Sequence, residues 1–183
     1  LSRDAGSLWE TLAASVPNTT GSIGSFSWVV TGPVTAAAVV RVRWNDGPTE
    51  DVSNVTFSIV APHLTVTGPN TAVTWTIGAV HNLTWSHNLG MGETVNIDVS
   101  RDGGLTWIPA ASNAVNTATT TGSFAWHVDG PVSRVARVRV TWTKNGDVKD
   151  TSDVDFTVVS RIAVANPAGL PWGGGSTRTV TWT

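Results

Sequence analysis

Apolar and polar residues alternate along several short stretches of the chain. Residues 95–99 read Val-Asn-Ile-Asp-Val, and residues 136–142 alternate in the same way, as do residues 124–128 and 154–158. A period of two places successive side chains on opposite faces of a strand, one toward a core and one toward water. The pattern therefore predicts half-buried β-strands. No stretch of about a dozen residues carries an apolar stripe with the period of a helix.

Turn-forming sequences separate the predicted strands. Asp102-Gly103-Gly104, the Lys-Asn-Gly-Asp sequence at 144–147 and the Asn-Asp-Gly sequence at 45–47 predict hairpins. Gly-Pro pairs at 68–69 and 130–131 predict loops. Roughly seven short strands joined by such turns predict an antiparallel β-sandwich.

The sequence repeats itself. Gly24-Ser25-Phe26-Ser27-Trp28 matches residues 122–126, and residues 40–44 match residues 138–142, both at an offset of 98. All ten tryptophans pair at similar offsets, 9 with 107, 28 with 126, 44 with 142, 75 with 172 and 85 with 182. The spacing suits a sandwich domain better than a propeller blade, which repeats at roughly 40–50 residues.

The repeat divides the chain into three predicted parts. Residues 1–61 form the C-terminal part of one repeat, residues 62–159 a complete repeat, and residues 160–183 the first strands of a following repeat. Two interpretations stay open. The chain is a section of a longer tandem array, or residues 160–183 act as donor strands for the partial domain of a neighbouring subunit. Joining Thr183 to a following Leu1 in this way leaves out about a dozen residues, by the match to His87–Asp98.

Tryptophan is expected to dominate the cores. The chain has no cysteine and therefore no disulfide, and each buried indole removes a large apolar area from water. We predict core or core-rim positions for Trp28, Trp44, Trp75, Trp85, Trp126, Trp142, Trp172 and Trp182.

The octapeptide Ser-Arg-Asp-Gly-Gly-Leu-Thr-Trp at 100–107 resembles the Asp-box of sialidases and other glycoside hydrolase propellers. Residues 2–9 match it except for Leu8, where the pattern has threonine. In that family the motif is a structural hairpin whose aspartate accepts turn amides while the tryptophan packs beneath. The resemblance implies that structural role for Ser2, Asp4, Gly6, Trp9, Ser100, Asp102, Gly104, Thr106 and Trp107. A sialidase would also need a tyrosine nucleophile, and the chain has no tyrosine.

The whole repeat resembles bacterial and archaeal immunoglobulin-like extracellular modules, including those akin to the Kre9/Knh1 N-terminal domain. The resemblance is carried by Gly68-Pro69, residues 73–75 and 83–85, the octapeptide above, and residues 122–126, 136–140 and 150–158. It implies an all-β fold of tandem immunoglobulin-like antiparallel β-sandwich repeats of about 98 residues. It also implies an extracellular or cell-surface location and no particular ligand.

Charge and apolar patterning exclude several classes of partner. The net charge is −2, so no basic face is available for nucleic acid. The apolar runs, such as residues 36–40, are too short for membrane insertion. The histidines at 63, 81, 87 and 127 lack metal-ligand spacing, and we expect them at the surface or rim. We therefore predict no catalytic residues, no cofactor and no enzymatic activity.

Three candidate sites remain, each with an alternative. Asp147, Asp150, Asp153 and Asp155 could hold Ca²⁺, or form an acidic edge that opposes pairing between sheets. The arginines at 41, 43, 137 and 139 could bind sugars or anions, or pair with acids such as Asp98 on neighbouring strands. Asn18, Asn54 and Asn82 lie in N-glycosylation sequons.

These observations predict a structural subunit or segment of an extracellular cell-surface filament or rod. Its partners are copies of itself, assembled by strand complementation, or neighbouring repeats, with surface glycans as further ligands. The alternative is an adhesin or a carbohydrate-binding accessory module of a larger secreted protein.

Overall fold

A computed structural model describes residues 1–162, 164–165 and 171–182. The chain divides into two compact units, Leu1–Ala61 and Pro62–Thr183. The three-part division at 61/62 and 159/160 expected from the sequence stays a prediction. No helix in the described part of the chain is long and apolar enough to span a membrane.

The described residues form thirteen strands and no helix, which confirms the predicted all-β class. The first unit contains β1 (Thr35–Ala38), β2 (Arg41–Arg43), β3 (Glu50–Val52) and β4 (Phe57–Ile59). The second unit contains β5 (Leu64–Gly68), β6 (Thr74–Thr76), β7 (Val80–His87), β8 (Thr94–Ser100), β9 (Ile108–Val115), β10 (Thr121–His127), β11 (Ser133–Trp142), β12 (Lys149–Thr151) and β13 (Phe156–Val159).

Two sheets make up the second unit. One has the order β10-β7-β5, and the other has the order β6-β13-β11-β8-β9, with β12 also pairing β11. All pairs are antiparallel except β13 with β6, which the sequence did not indicate. The inner faces of both sheets share one core, as in a β-sandwich.

Alternation along the strands fills this core as predicted. Val95, Ile97 and Val99 on β8 are buried, and the polar residues between them, Asn96 and Asp98, lie at partly exposed positions. The same holds for Ala136, Val138 and Val140 on β11. The core also contains an aromatic cluster, in which the Trp75 ring lies 4.9 Å from the Phe156 ring and 6.0 Å from the Trp126 ring.

The first unit has a much smaller core. It consists of Leu1, Ala38 and Ile59, with half-buried residues around them that include Trp28 and Phe57. β1 pairs β4 and β2 pairs β3, both antiparallel. Residues 23–29 align with β10 but form no strand.

Strand registers agree between the two units. Thr35 pairs Ile59 and Ala38 pairs Phe57, with a bulge between them, whereas Ser133 pairs Val158 and Ala136 pairs Phe156, also with a bulge between them. The β2–β3 and β11–β12 pairs agree in the same way, with Val42 opposite Asp51 and Val140 opposite Asp150. The bridge between Ser2 and Val39 corresponds to the pair of Ser100 with Arg137.

Five of the eight predicted core tryptophans lie in buried or half-buried positions, and three do not. Trp75, Trp85 and Trp126 are buried, and Trp28 and Trp142 are half-buried. The core prediction is wrong for Trp44, Trp172 and Trp182, which are exposed. Trp142 packs at the rim and donates its indole N–H to Glu93 at 2.8 Å. Trp44 is 57% exposed.

Candidate functional site: an open half-core

The Ser100–Trp107 turn is held by its own side chains. The Ser100 hydroxyl donates to Asp102 Oδ1 at 2.7 Å and accepts from the Gly104 N–H at 2.8 Å. Asp102 also accepts from the Thr106 hydroxyl and the Thr106 N–H. The Thr106 hydroxyl, followed by the Thr106 N–H and the Ser100 hydroxyl, lowers the pKa of Asp102 to about 2. Asp102 thus serves as the acceptor that closes the β8–β9 hairpin.

Residues 2–9 form the same turn with one donor fewer. Ser2 donates to Asp4 at 2.7 Å, and Asp4 accepts from the Leu8 N–H at 2.9 Å. Leu8 has no hydroxyl to add, and the Leu8 N–H, followed by the Ser2 hydroxyl, lowers the pKa of Asp4. In each turn the tryptophan ring lies close beneath a glycine, Trp9 beneath Gly6 and Trp107 beneath Gly104.

Arginines on the outer face pair with acids and stack on these tryptophans. Arg139 binds Asp98 at 2.8 Å, as the cross-strand interpretation predicts, and its guanidinium lies 4.3 Å from the Trp107 ring centre. Arg41 lies 4.2 Å from the Trp9 ring centre and 3.7 Å from Glu50. Arg137 pairs with Asp155. Three of the four predicted arginines are therefore committed to neighbours, and Arg43 is exposed.

A shallow polar cleft of about 300 Å³ lies on this outer face of the second unit. Its lining includes Asp98, Arg139, Thr141 and Lys149. Within the described part of the chain, Lys149 makes no ion pair. The cleft therefore offers hydroxyl, carboxylate and guanidinium groups together with one uncommitted positive charge.

The acidic residues proposed for Ca²⁺ have separate partners. Asp150 accepts the Val66 N–H at 2.7 Å, Asp153 accepts the Asn70 amide at 2.8 Å, and Asp155 pairs with Arg137. Asp147 is exposed in the β11–β12 hairpin. Among the described residues no group of three or more histidine, cysteine or acidic side chains is placed to hold a metal ion. The candidate is wrong because each of three carboxylates is already committed elsewhere.

His87 corrects the expectation of surface histidines. It is buried at the end of β7, where its Nδ1 accepts the Leu89 N–H at 3.2 Å. Its Nε2 is buried near the Thr121 backbone without reaching hydrogen-bond geometry. Burial lowers the pKa of His87. The three sequon asparagines, Asn18, Asn54 and Asn82, are exposed, and their glycosylation stays a prediction.

The first unit exposes apolar side chains whose counterparts in the second unit are buried or half-buried. Val42 is 72% exposed, whereas its counterpart Val140 is fully buried. Val30 is also exposed although its counterpart Val128 is buried. We call this surface, formed by Phe26, Val30, Val42 and Trp44, the open half-core.

In the second unit, β7 closes the equivalent surface through Trp85. The Trp85 ring lies over Gly122 of β10, where a Cβ would come within 2.1 Å of it. The Trp85 indole N–H donates to Asn116 Oδ1 at 3.0 Å, and both side chains are buried. A glycine is therefore required under the indole, and a buried amide oxygen completes its hydrogen bonding.

Gly24 and Asn18 align with these two positions in the first unit. The atoms nearest to a Cβ at Gly24 belong to Asn18, whose Oδ1 would lie 3.0 Å away. Sequence reasoning missed this pair, although the match of residues 24–28 to residues 122–126 contained the signal. The need for glycine at position 122 follows from the Trp85 ring that lies over it, and the sequence alone does not show that contact.

Residues beyond β13 repeat the register of β5 with β7. Val164 bridges Trp182 and the Ala165 N–H donates to the Thr181 carbonyl at 2.8 Å, just as Val66 pairs Trp85. We call residues 164–165 and 181–182 the terminal bridge. Trp182 is 67% exposed there, whereas Trp85 is 1% exposed. Within the predicted segment 160–183, residues 163, 166–170 and 183 lie outside the described residues.

No protein-family model matches the chain, and no curated protein matches it.

Proposed function

We propose that the chain is a structural segment of an extracellular cell-surface filament or rod, built of immunoglobulin-like sandwich repeats of about 98 residues. The repeats supply their own cores and join through neighbouring repeats or copies of the chain. The function is mechanical and not catalytic. The two units share strand registers, and we infer that further units of the same kind follow one another in the assembly.

One observation carries the proposal. The β1–β4 and β11–β13 pairs share residue-level register and the same bulge, as do the β2–β3 and β11–β12 pairs. Since a register slip of one residue would turn every side chain to the other face, such agreement supports a single blueprint used twice. A blueprint reused along one chain is typical of arrays whose units stack in a line.

The chemistry of the acidic residues favours the mechanical role. Asp102 and Asp4 close turns, and Asp98 pairs with Arg139 across the sheet. The Asp102 carboxylate accepts the Ser100 hydroxyl and the Thr106 hydroxyl and N–H within its own turn. The carboxylates of Asp4, Asp98 and Asp102 therefore stabilise two turns and one sheet face.

Electron microscopy and sedimentation velocity of the purified chain test the filament version. We expect sedimentation coefficients that rise with protein concentration and linear particles in negative stain. A single monomeric species at every concentration up to about 1 mM would contradict assembly from copies of this chain.

The polar cleft favours a second candidate, a carbohydrate-binding module. Lys149 leaves one positive charge uncommitted beside Thr141 and Asp98, an arrangement suited to a sugar that carries a carboxylate. We expect a titration with trigalacturonic acid to shift the NMR signals of residues around the cleft, and Lys149→Gln to abolish the shifts. Arg134→Gln removes an exposed charge outside the cleft and is the matched control. No shifts with the wild-type chain would rule this candidate out.

A further inference from the structure

The hairpin between β11 and β12 contains the one Asn-Gly pair of the sequence, Asn145-Gly146. Asn145, Gly146 and Asp147 are all exposed. Two backbone hydrogen bonds frame the turn, from the Trp142 N–H to the Val148 carbonyl at 2.9 Å and from the Val148 N–H to the Asn145 carbonyl at 3.1 Å. The pair therefore lies at the exposed end of a hairpin whose two strands are joined in a regular register.

We propose that Asn145 is a site of spontaneous modification, at which the Gly146 backbone nitrogen displaces the side-chain amide as ammonia. The nitrogen loses its proton to hydroxide and attacks Asn145 Cγ, so that an N–Cγ bond forms and the Cγ–Nδ2 bond breaks. The ammonia leaves with a proton from water, and a five-membered succinimide remains. Water then opens this ring at one of its two carbonyls. Opening at Cγ gives aspartate, and opening at the backbone carbonyl gives isoaspartate, in which the chain continues through Cγ.

The attacking nitrogen is unpaired and uncrowded. Within the described part of the chain no acceptor takes the Gly146 N–H, so no hydrogen bond has to break before the nitrogen approaches Cγ. A Cβ added at Gly146 would meet no atom within 4 Å. In the corresponding hairpin of the first unit, by contrast, a Cβ at Gly47 would come within 2.5 Å of the Trp44 ring. The glycine of the β11–β12 hairpin is therefore the more accessible of the two.

The amide under attack is polarised by its own turn. Asn145 Oδ1 accepts the Asp147 N–H at 3.0 Å. That oxygen gains negative charge when the nitrogen adds to Cγ, and a donor already directed at it stabilises the charge. Asn96 Oδ1 accepts the Asn113 N–H at 3.1 Å in a similar way, but the residue that follows it, Ile97, is fully buried within β8. Asn145 thus combines a polarised amide with an accessible nucleophile.

The reaction changes the charge beside the polar cleft. It adds one carboxylate to a chain whose net charge is −2, next to Gly146, which lines the cleft together with Lys149. Isoaspartate also adds one carbon to the backbone of the turn, so we expect the hydrogen bond from the Val148 N–H to be lost. The reaction needs only the hairpin and solvent water, and it depends on neither the filament role nor the carbohydrate-binding role.

Peptide mapping of the aged chain tests the site. The purified chain and a synthetic peptide of residues 141–149 are incubated side by side in mildly alkaline buffer. We expect a mass gain of about 1 Da at Asn145 in both, and none at Asn96 in the chain. Because the folded hairpin presents both reacting groups, the chain should react at least as fast as the peptide. A rate in the folded chain more than about tenfold below that of the peptide would overturn the proposal, since the fold would then restrain the attack.

A glycine substitution tests the nucleophile. Gly146→Ala places a methyl group beside the attacking nitrogen and should slow the mass gain at Asn145 at least about tenfold. Gly21→Ala is the matched control, because a Cβ at Gly21 also meets no atom within 4 Å, and we expect it to react within about twofold of the wild-type rate. Neither glycine has a positive φ, so alanine fits the backbone at both positions. Equal rates in the two variants would overturn attack by the Gly146 nitrogen.

The products in the wild-type chain give a second, independent readout. Electron-transfer fragmentation distinguishes isoaspartate from aspartate at position 145. A succinimide opens to both, whereas direct hydrolysis of the side-chain amide gives aspartate alone. We therefore expect both products, and aspartate without isoaspartate would overturn the proposal even if Gly146→Ala disturbed the hairpin.

Discussion

Single side chains decide how firmly each turn is fixed. Asp102 has one hydroxyl donor more than Asp4, because Thr106 stands where the first unit has Leu8. The carboxylate must be ionised to accept all of these hydrogen bonds. The contribution of this turn to stability therefore depends on pH, over a range set by the Asp102 pKa.

We predict that the stability of the second unit contributed by Asp102 is lost in acid. The folded-state pKa of about 2 lies below the ordinary value of 3.8, so this contribution is complete above pH 3.8 and declines as the pH falls toward 2. Asp102→Asn should flatten the dependence of the urea midpoint on pH between 4 and 2. Asp147→Asn, in the exposed hairpin, is the control. Equal slopes of the urea midpoint against pH for the two variants would show that the turn does not stabilise the ionised Asp102 carboxylate.

Much at this scale follows from sequence, and some does not. The alternation of Val95, Ile97 and Val99 predicts β8 and its buried face, because burial on a pleated strand follows from period alone. Partners distant along the chain leave no such signal. Asp150 accepts the N–H of Val66, 84 positions away, and this contact removes it from the predicted Ca²⁺ group.

Strand pairs determine which tryptophans are buried. Trp85 and Trp182 occupy equivalent positions with equivalent partners, yet Trp85 also has β10 beside it and the opposite sheet above it. Trp182 has only the bridge to Val164 among the described residues. The sequence predicts both as core because the local pattern is the same, and the difference comes from the neighbouring strands.

We therefore predict very different costs for the same substitution at these two positions. Trp85→Ala should lower the free energy of unfolding of the second unit by about 3–5 kcal/mol, because it leaves a cavity and an unpaired Asn116 oxygen. Trp182→Ala should change it by less than about 0.5 kcal/mol. Urea unfolding at low micromolar concentration measures both. Similar losses at the two positions would contradict the exposed position of Trp182.

A matching pair of glycine substitutions tests the β7–β10 contact from the other side. Gly122→Ala places a Cβ within 2.1 Å of the Trp85 ring, so we predict a loss of about 1–3 kcal/mol from overpacking. Gly24→Ala meets only the movable Asn18 side chain closely and should cost much less. Thermal unfolding followed by near-ultraviolet circular dichroism compares them. An unchanged melting temperature for Gly122→Ala would mean that the indole does not lie over this glycine.

On the scale of the whole molecule, the two units share strand registers but differ in the size of their cores. The second unit closes a core between two sheets, while the first unit keeps the same registers around a small core of Leu1, Ala38 and Ile59. Repeat detection in the sequence predicts such agreement between the two units. It could not show the parallel β6–β13 pair, because pairing direction depends on how the chain returns across the sheet.

Hydrogen exchange measured by mass spectrometry tests this account most directly. At protein concentrations too low for association, peptides covering residues 133–142 should exchange on the order of a hundredfold more slowly than peptides covering the equivalent residues 35–44, because only the former lie in a closed core. Equal protection of the two segments would contradict the account, since the first unit would then have a closed core of its own.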